Sequence, residues 1–115
     1  FMSIKVYLDT TANPAVTCDP PEKEKDRGKR HLSWEPGSKE KFDFVSLTFA
    51  VNPGCFDTPK VKKKKITAND DNSGKSSIGT FLYTIVVSKD GKNYSSATVS
   101  ARTVGGADSP TIKNN

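Results

Sequence analysis

Residues 78–94 read IGTFLYTIVVSKDGKNY, and this stretch decides the fold class of the chain. Large side chains alternate along it, with Phe81, Tyr83, Ile85 and Val87 on one face and the intervening residues on the other. A period of two is typical of a β-strand. Asp90-Gly91 follows and favours a hairpin turn. Because both faces carry apolar groups, we expect a central strand covered on both sides, in a β-sandwich or barrel.

The length and composition predict one domain built from short strands. A chain of 115 residues fits a single domain with its own core, spanning residues 1–115. Hydrophobic residues make up 33% of it, and eight glycines and seven prolines interrupt the pattern, which suits strands and turns better than helices. We predict an all-β fold, an antiparallel β-sandwich of seven or eight strands with an immunoglobulin-like arrangement.

Eight extended segments are predicted between turn signals. Seven of them span residues 3–8, 15–18, 32–34, 42–51, 60–66, 94–102 and 111–113, and the eighth is the strand that begins at residue 78. Two apolar phases meet within 42–51, which predicts a bulge near residues 44 and 45. Residues 22–30 carry charges of alternating sign and predict a mobile loop, and residues 69–77 predict a surface loop.

The predicted core centres on Trp34 in the third segment. Tyr83 has two candidate roles, as a core residue or as a corner tyrosine whose hydroxyl group bonds nearby backbone, as in immunoglobulin-like domains. The side chains expected near Trp34 are Phe49, Ile85, Val87 and either Phe81 or Tyr83.

The positive charge is concentrated in one segment. The chain has 18 basic and 13 acidic residues, for a formal net charge of +5. Removing five lysines from the 18 basic residues leaves 13, which equals the number of acidic residues; the five are Lys60, Lys62, Lys63, Lys64 and Lys65. A strand with lysines on both faces cannot be central, and such lysines block association at an exposed sheet edge.

The same five lysines are also a candidate anion-binding site for phosphate or a polyanion, with strong salt dependence. Nucleic-acid recognition usually adds arginines and aromatic residues, and the segment 60–65 has neither. Edge protection is therefore the favoured interpretation, and anion binding is the alternative.

No combination of residues predicts a catalytic or metal site. The single histidine, His31, lies among charged residues, and we expect it to be exposed in a loop without a catalytic partner. Cys18 and Cys55 lack the paired spacing of metal ligands. We expect them to be free thiols, with a disulfide as the alternative. We therefore expect no enzyme activity, no metal and no cofactor.

The hydropathy pattern of the chain bears on membrane crossing and export. No run of about 18 apolar residues occurs, so we predict no membrane-spanning helix. Met2 leads directly into the first strand pattern, and we expect a cytoplasmic protein, provided that no leader preceded this sequence.

Two proline-containing pairs resemble a known family. Cys18-Asp19-Pro20 and Trp34-Glu35-Pro36 resemble the DP-EP family, a small bacterial family named for its Asp-Pro and Glu-Pro pairs, whose members are short β-proteins without assigned activity. The length, the all-β pattern and the closing segment 108–112 are compatible with it. The resemblance implies a β-sandwich and no chemistry.

Three functions follow as hypotheses. The first is a non-catalytic interaction or structural module that binds a protein partner through loops or a sheet edge. The second is anion or polyanion binding through the lysine segment 60–65. The third is a hydrolase that uses surface carboxylates, for which the candidates are Asp19, Glu35 and Glu40.

Overall fold

The computed structural model describes residues 2–37, 41–97 and 109–115, which contain ten strands and one short 3-10 helix. The strands are β1 (Met2–Leu8), β2 (Val16–Asp19), β3 (Glu22–Lys25), β4 (Gly28–Pro36), β5 (Asp43–Phe49), β6 (Lys60–Lys62), β7 (Lys65–Asn72), β8 (Gly79–Lys89), β9 (Lys92–Ser95) and β10 (Thr111–Asn114). The 3-10 helix spans Lys75–Ser77. Within these ranges, no helix is both long enough and apolar enough to cross a membrane.

The strands form two mixed sheets. The first sheet has the order β2-β1-β4-β7-β6, and the second has the order β3-β10-β8-β5, with β9 paired to the C-terminal part of β8. Strand β4 runs parallel to β1, and β10 runs parallel to β3. The all-β prediction is confirmed. The purely antiparallel arrangement is wrong, and the ten strands exceed the seven or eight expected.

The parallel pairs follow from the path of the chain between the sheets. After β2 the chain leaves the first sheet, adds β3 to the edge of the second sheet, and returns as β4 beside β1. Parallel neighbours require such a crossover, whereas antiparallel neighbours can be joined by a short turn. A prediction that joins consecutive strands by hairpins gives only antiparallel neighbours, so it misses these two parallel pairs.

One face of β8 forms the centre of the core. Tyr83, Ile85 and Val87 are 0–1% exposed, while the alternate residues of β8 are mostly half-buried. The pattern predicts a strand covered on both sides, and the structure covers the second face only in part. Trp34 is also fully buried and packs edge-on against the Tyr83 ring, with centroids 5.5 Å apart. The predicted core position of Trp34 is confirmed, and Phe49 and Phe81 pack at its margin.

The bulge predicted in the 42–51 segment is confirmed. The pairing of β5 with β8 shifts register between Phe44 and Ser46. The shift leaves Val45 outward and 44% exposed, and Phe44 and Leu47 both remain buried. A bulge thus reconciles the two apolar phases on one strand.

The charged segment 22–30 forms β3 and the start of β4, which corrects the predicted mobile loop. Strand β3 pairs with β10, and the start of β4 pairs with the end of β7. Of the four β3 side chains, Lys25 alone is buried. The charged pattern concealed these strands because nearly all of their other side chains face solvent.

The predicted surface loop at residues 69–77 is also wrong. It is the second half of β7 followed by the 3-10 helix. Ile66, Ala68, Asp70 and Asn72 alternate inward along β7, so two polar side chains enter the interior. The sequence pattern does not reveal the second half of β7, because the side chains at its last two inward positions, Asp70 and Asn72, are not apolar.

Two further strand predictions change in extent. The predicted strand 60–66 is two strands, since Lys62 lies opposite Lys65 and the two residues between them form the turn. The predicted strand 94–102 begins earlier, as β9, and ends at Ser95. The part of that prediction from residue 98 onward lies outside the described residues.

The corner-tyrosine role of Tyr83 does not occur within the described part of the chain. Its hydroxyl group is buried, makes no hydrogen bond to the backbone of the described residues, and lies beside the side chains of Cys18 and Trp34. Tyr83 is a core residue.

Truncation of the central strand tests this core. Ile85→Ala should lower the free energy of unfolding by about 2–5 kcal/mol, because a fully buried side chain leaves a cavity. The measurement is urea denaturation followed by fluorescence. Val51→Ala is the matched control, since Val51 is 66% exposed and its truncation should change stability by less than about 0.5 kcal/mol. Equal losses for the two variants would contradict the assignment of Ile85 to the core.

Candidate functional site

The five candidate lysines lie on one hairpin at the edge of the first sheet. We call residues 60–65 the lysine hairpin. Its lysines are distributed over β6, the two-residue turn and the first position of β7. Strand β6 ends the strand order of the first sheet, and its three residues are exposed. The predicted edge position is therefore confirmed, and the five predicted side chains are brought together.

Ion pairs divide these lysines into two groups. The Lys64 ammonium group lies 2.9 Å from the Asp43 carboxylate and donates to the backbone carbonyl of Phe42 at 2.6 Å. The Lys65 ammonium group lies 3.7 Å from the Glu35 carboxylate. Within the described ranges no ion pair involves the other three, which we call the unpaired lysines: Lys60, Lys62 and Lys63.

The unpaired lysines concentrate positive charge at the edge. Lys60 and Lys62 are two positions apart on β6 and project from the same face, so their attachment points are about 7 Å apart. Like charges on neighbouring side chains of one face repel each other. Lys63 adds a third exposed charge at the adjoining turn. A bound anion would relieve this repulsion, so the edge is electrostatically suited to negative ligands.

A groove on the outer face of the first sheet adjoins Lys60. Its volume is about 190 Å³, and His31, Asp57 and Asn69 are among its lining residues. The Asp57 carboxylate accepts hydrogen bonds from the backbone and side-chain N–H groups of Asn69, both at 2.7 Å. His31 is exposed as predicted, but it lies on β4 opposite Asn69 rather than in a loop. The groove extends the polar surface beside β6.

The candidate carboxylates do not form an isolated pair. Lys5 lies between Asp19 and Glu35 in the strand register, and its ammonium group is 2.9 Å from Glu35. The hydrogen bond and charge of Lys5 lower the pKa of Glu35, which favours its ionised form. An ionised carboxylate has no proton to donate as a general acid. Glu40 lies outside the described residues, so the hydrolase hypothesis stays a prediction without added support.

A buried polar cluster, which the sequence did not predict, lies where β3, β7, β10 and the 3-10 helix meet. Its five members are no more than 3% exposed: Lys25, Asp70, Asn72, Ser77 and Asn114. We call them the polar cluster. Polar groups can be buried at low cost only when they find hydrogen-bond partners.

Asparagine side chains make the central bonds of the polar cluster. The Asn114 amide donates to the Asp70 carboxylate at 3.1 Å and to the backbone carbonyl of Ser77 at 2.9 Å. The Asn72 amide donates to the carbonyls of Asp26 and Asn115 at 3.2 and 2.9 Å. These bonds connect both sheets and fix the C-terminal strand.

Two basic side chains donate hydrogen bonds at the polar cluster: Lys25, which belongs to it, and Arg27, which lies beside it. Lys25 donates to the backbone carbonyls of Asp26 and Gly28. The Arg27 guanidinium group donates to the Asn72 side chain at 2.9 Å and to the carbonyl of Ser73 at 2.6 Å. Both cations therefore bind backbone or amide oxygens, and the arrangement ties the turn after β7 to the start of β4.

Burial shifts the pKa values of two side chains in the polar cluster. It raises the pKa of Asp70, against the opposing effects of the Asn114 hydrogen bond and the Lys25 charge. It also lowers the pKa of Lys25. One oxygen of Asp70 and the side-chain oxygen of Asn114 have no hydrogen-bond partner among the described residues. A protonated Asp70 would relieve the cost of an incompletely bonded buried charge.

The two cysteines are free thiols, as expected, and both are buried. Burial raises the pKa of Cys18 and of Cys55 to about 11. A thiol in this state is a poor nucleophile and a poor metal ligand at neutral pH. Among the described residues, no group of three or more His, Cys, Asp or Glu side chains is placed to hold a metal ion.

Comparisons with known proteins identify no relative. No protein-family model matches the chain, and a search of curated proteins found no match. The resemblance to the DP-EP family therefore stays a prediction.

Titration of Asp70 should make stability depend on pH. An aspartate in the unfolded chain has a pKa of about 3.9, and the folded pKa is higher. The folded state therefore holds the proton of Asp70 more tightly than the unfolded chain does. The free energy of unfolding falls as pH rises from the unfolded pKa to the folded pKa. Asp70→Asn should remove this fall, so that its stability relative to the wild type increases as pH rises above about 4.

Urea denaturation at several pH values measures this effect. Asp71→Asn is the matched control, because Asp71 is the next residue on β7 and is exposed. The control should keep the slope of the wild type. An Asp70→Asn variant that also keeps that slope would show that Asp70 does not retain its proton on folding.

Proposed function

We propose that the chain is a non-catalytic interaction module, on an immunoglobulin-like β-sandwich, that binds an acidic segment of a partner protein at the lysine hairpin. The observation that supports this proposal most is the set of unpaired lysines on an exposed edge. Protection of a sheet edge needs only a charged side chain that discourages pairing. Three neighbouring lysines without carboxylate partners in the described structure exceed that need.

The surroundings of the lysine hairpin favour a protein over a nucleic acid. Arginine and aromatic side chains, which supply bidentate contacts and stacking to nucleic acids, are absent from residues 60–65. The neighbouring groove offers amide, carboxylate and imidazole groups from Asn69, Asp57 and His31. Such groups form the polar contacts that are common at the rim of protein interfaces.

Neutralisation of the unpaired lysines tests the proposal. The triple variant Lys60→Gln, Lys62→Gln and Lys63→Gln should bind a fluorescent peptide of ten glutamates about tenfold more weakly than the wild type, because three surface charge contacts of modest strength are lost. Fluorescence anisotropy at low and physiological salt measures the affinity. Wild-type affinity should fall with salt.

A matched control separates a local site from overall charge. Lys23→Gln, Lys29→Gln and Lys75→Gln lower the net charge equally but lie on β3, at the start of β4 and on the 3-10 helix, away from the β6–β7 turn. This control should keep most of the wild-type affinity. Equal losses in the two triple variants would show that the peptide senses net charge rather than the lysine hairpin.

Heparin and double-stranded DNA serve as competing polyanions in the same assay. We expect the glutamate peptide to bind at physiological salt and DNA to compete weakly. Tight DNA binding that depends on the unpaired lysines, without peptide binding, would replace the protein partner by a nucleic acid.

A further inference from the structure

Three side chains that can react with one another are buried together in the polar cluster. Lys25 on β3 and Asn114 on β10 are direct partners in the parallel pairing of these strands, and each is 1% exposed. Asp70 enters from β7 of the other sheet and is 0% exposed. An amine, a carboxamide and a carboxyl group thus share one buried site.

The strand register places the amine within reach of the carboxamide. Neighbouring strands lie about 4.7–4.9 Å apart, and the backbone amide of Asn115 donates to the Lys25 carbonyl at 2.9 Å, which holds the two strands together at this pair. The Lys25 amine donates to the carbonyls of Asp26 and Gly28. Because it ends a flexible four-carbon chain, a rotation of that chain would bring it to the Asn114 carboxamide on the paired residue.

The hydrogen bonds of Asn114 leave its carbonyl group open to attack. Its amide nitrogen Nδ2 donates to Oδ1 of Asp70 at 3.1 Å and to the Ser77 carbonyl at 2.9 Å. Its carbonyl oxygen Oδ1 and the second oxygen of Asp70 are buried without hydrogen-bond partners among the described residues. Since Asp70 already bonds this carboxamide, a proton on its second oxygen is suited to polarise the Asn114 carbonyl.

Burial also favours the protonation states that a reaction needs. It lowers the pKa of Lys25, which favours the neutral and nucleophilic amine. It raises the pKa of Asp70, which favours the protonated carboxyl group. The charge of each group opposes the shift of the other, and this opposition disappears when both groups are neutral. A neutral amine and a protonated acid beside one carboxamide are the reactants of an amide exchange.

We propose that the chain forms an intramolecular isopeptide bond between Nζ of Lys25 and Cγ of Asn114, with Asp70 as the proton carrier and with release of ammonia. Nζ attacks Cγ, and Asp70 gives its proton to Oδ1 of Asn114 as the new bond forms. The resulting carboxylate takes a proton from Nζ and passes it to Nδ2. The Cγ–Nδ2 bond then breaks with its electron pair on nitrogen, ammonia leaves, and Oδ1 returns its proton to Asp70.

The reaction is balanced without any further reagent. One amine and one carboxamide become one secondary amide and one ammonia molecule, so no oxidant, reductant or cofactor is consumed. The product joins β3 to β10 covalently and closes a loop that contains β4 to β9. A cross-link over so long a loop stabilises the fold by restricting the unfolded chain, as a disulfide bond does.

Mass spectrometry of the purified full chain, denatured after prolonged incubation at neutral pH, tests the proposal. The intact mass should be lower than the sequence mass by one ammonia molecule. A proteolytic digest should contain a branched peptide that joins Lys25 to Asn114. A wild-type chain at its full sequence mass, with the two residues recovered in separate peptides, would overturn the proposal.

Single variants identify the two groups that are joined. Lys25→Arg keeps a cation without a primary amine, and Asn114→Ala removes the carboxamide, so each should keep its full sequence mass. Lys23→Arg on the same strand and Asn115→Ala at the next residue are the matched controls, and both should lose ammonia like the wild type. Ammonia loss that persists in Lys25→Arg would show that an asparagine cyclises onto its own backbone, which would contradict the proposal.

A third variant tests the role of Asp70. Asp70→Asn keeps the shape of the side chain but cannot carry the proton, so less than about a tenth of its molecules should have lost ammonia when the wild type has reacted fully. Circular dichroism compares its fold with that of the wild type. Asp71→Asn, at the next and exposed residue of β7, should react like the wild type. Complete reaction of Asp70→Asn would show that Asp70 does not carry the proton.

Discussion

Burial of one face of β8 against the first sheet is the interaction on which the rest of the structure depends. Tyr83, Ile85 and Val87 are withdrawn from water there, and full burial of a large apolar side chain contributes about 1.5–3 kcal/mol. Strand β8 also pairs with β5, β9 and β10, so three other strands take their positions from it.

The polar cluster lies where β3, β7, β10 and the 3-10 helix meet, beside the apolar core. Asn114 and Asn72 bond groups from strands far apart in sequence, and their bonds connect the C-terminal strand, β7 and the turns beside them. Such a cluster makes the fold specific, since each buried polar group requires its own partner. It also holds the buried carboxyl group of Asp70, whose pKa burial raises, so we expect the stability of the fold to depend on the protonation of this group.

Much of the fold could be predicted from local patterns, and the parts that could not depend on distant partners. The period of two in β8, the bulge in β5 and the burial of Trp34 follow from apolar positions a few residues apart. The bonds from Asn114 to Asp70 and from Arg27 to Asn72 span 44 and 45 residues, and no local pattern encodes them. The inward position of Asp70 did have a local signal, because it continues the alternation begun by Ile66 and Ala68.

The candidate site could likewise be predicted from the sequence only in part. Lysine density and the edge position of residues 60–66 were evident from the sequence. The distinction between paired and unpaired lysines was not, because Asp43 and Glu35 lie on other strands and their approach depends on the tertiary fold.

The most direct test of the lysine hairpin as a binding surface is zero-length carbodiimide coupling in a cell extract, which joins lysine amines to carboxylates in contact with them. Mass spectrometry then identifies the lysines joined to partner proteins. We expect the coupled peptides to map to Lys60, Lys62 and Lys63. Coupling that favours lysines of β3, the start of β4 and the 3-10 helix would contradict it.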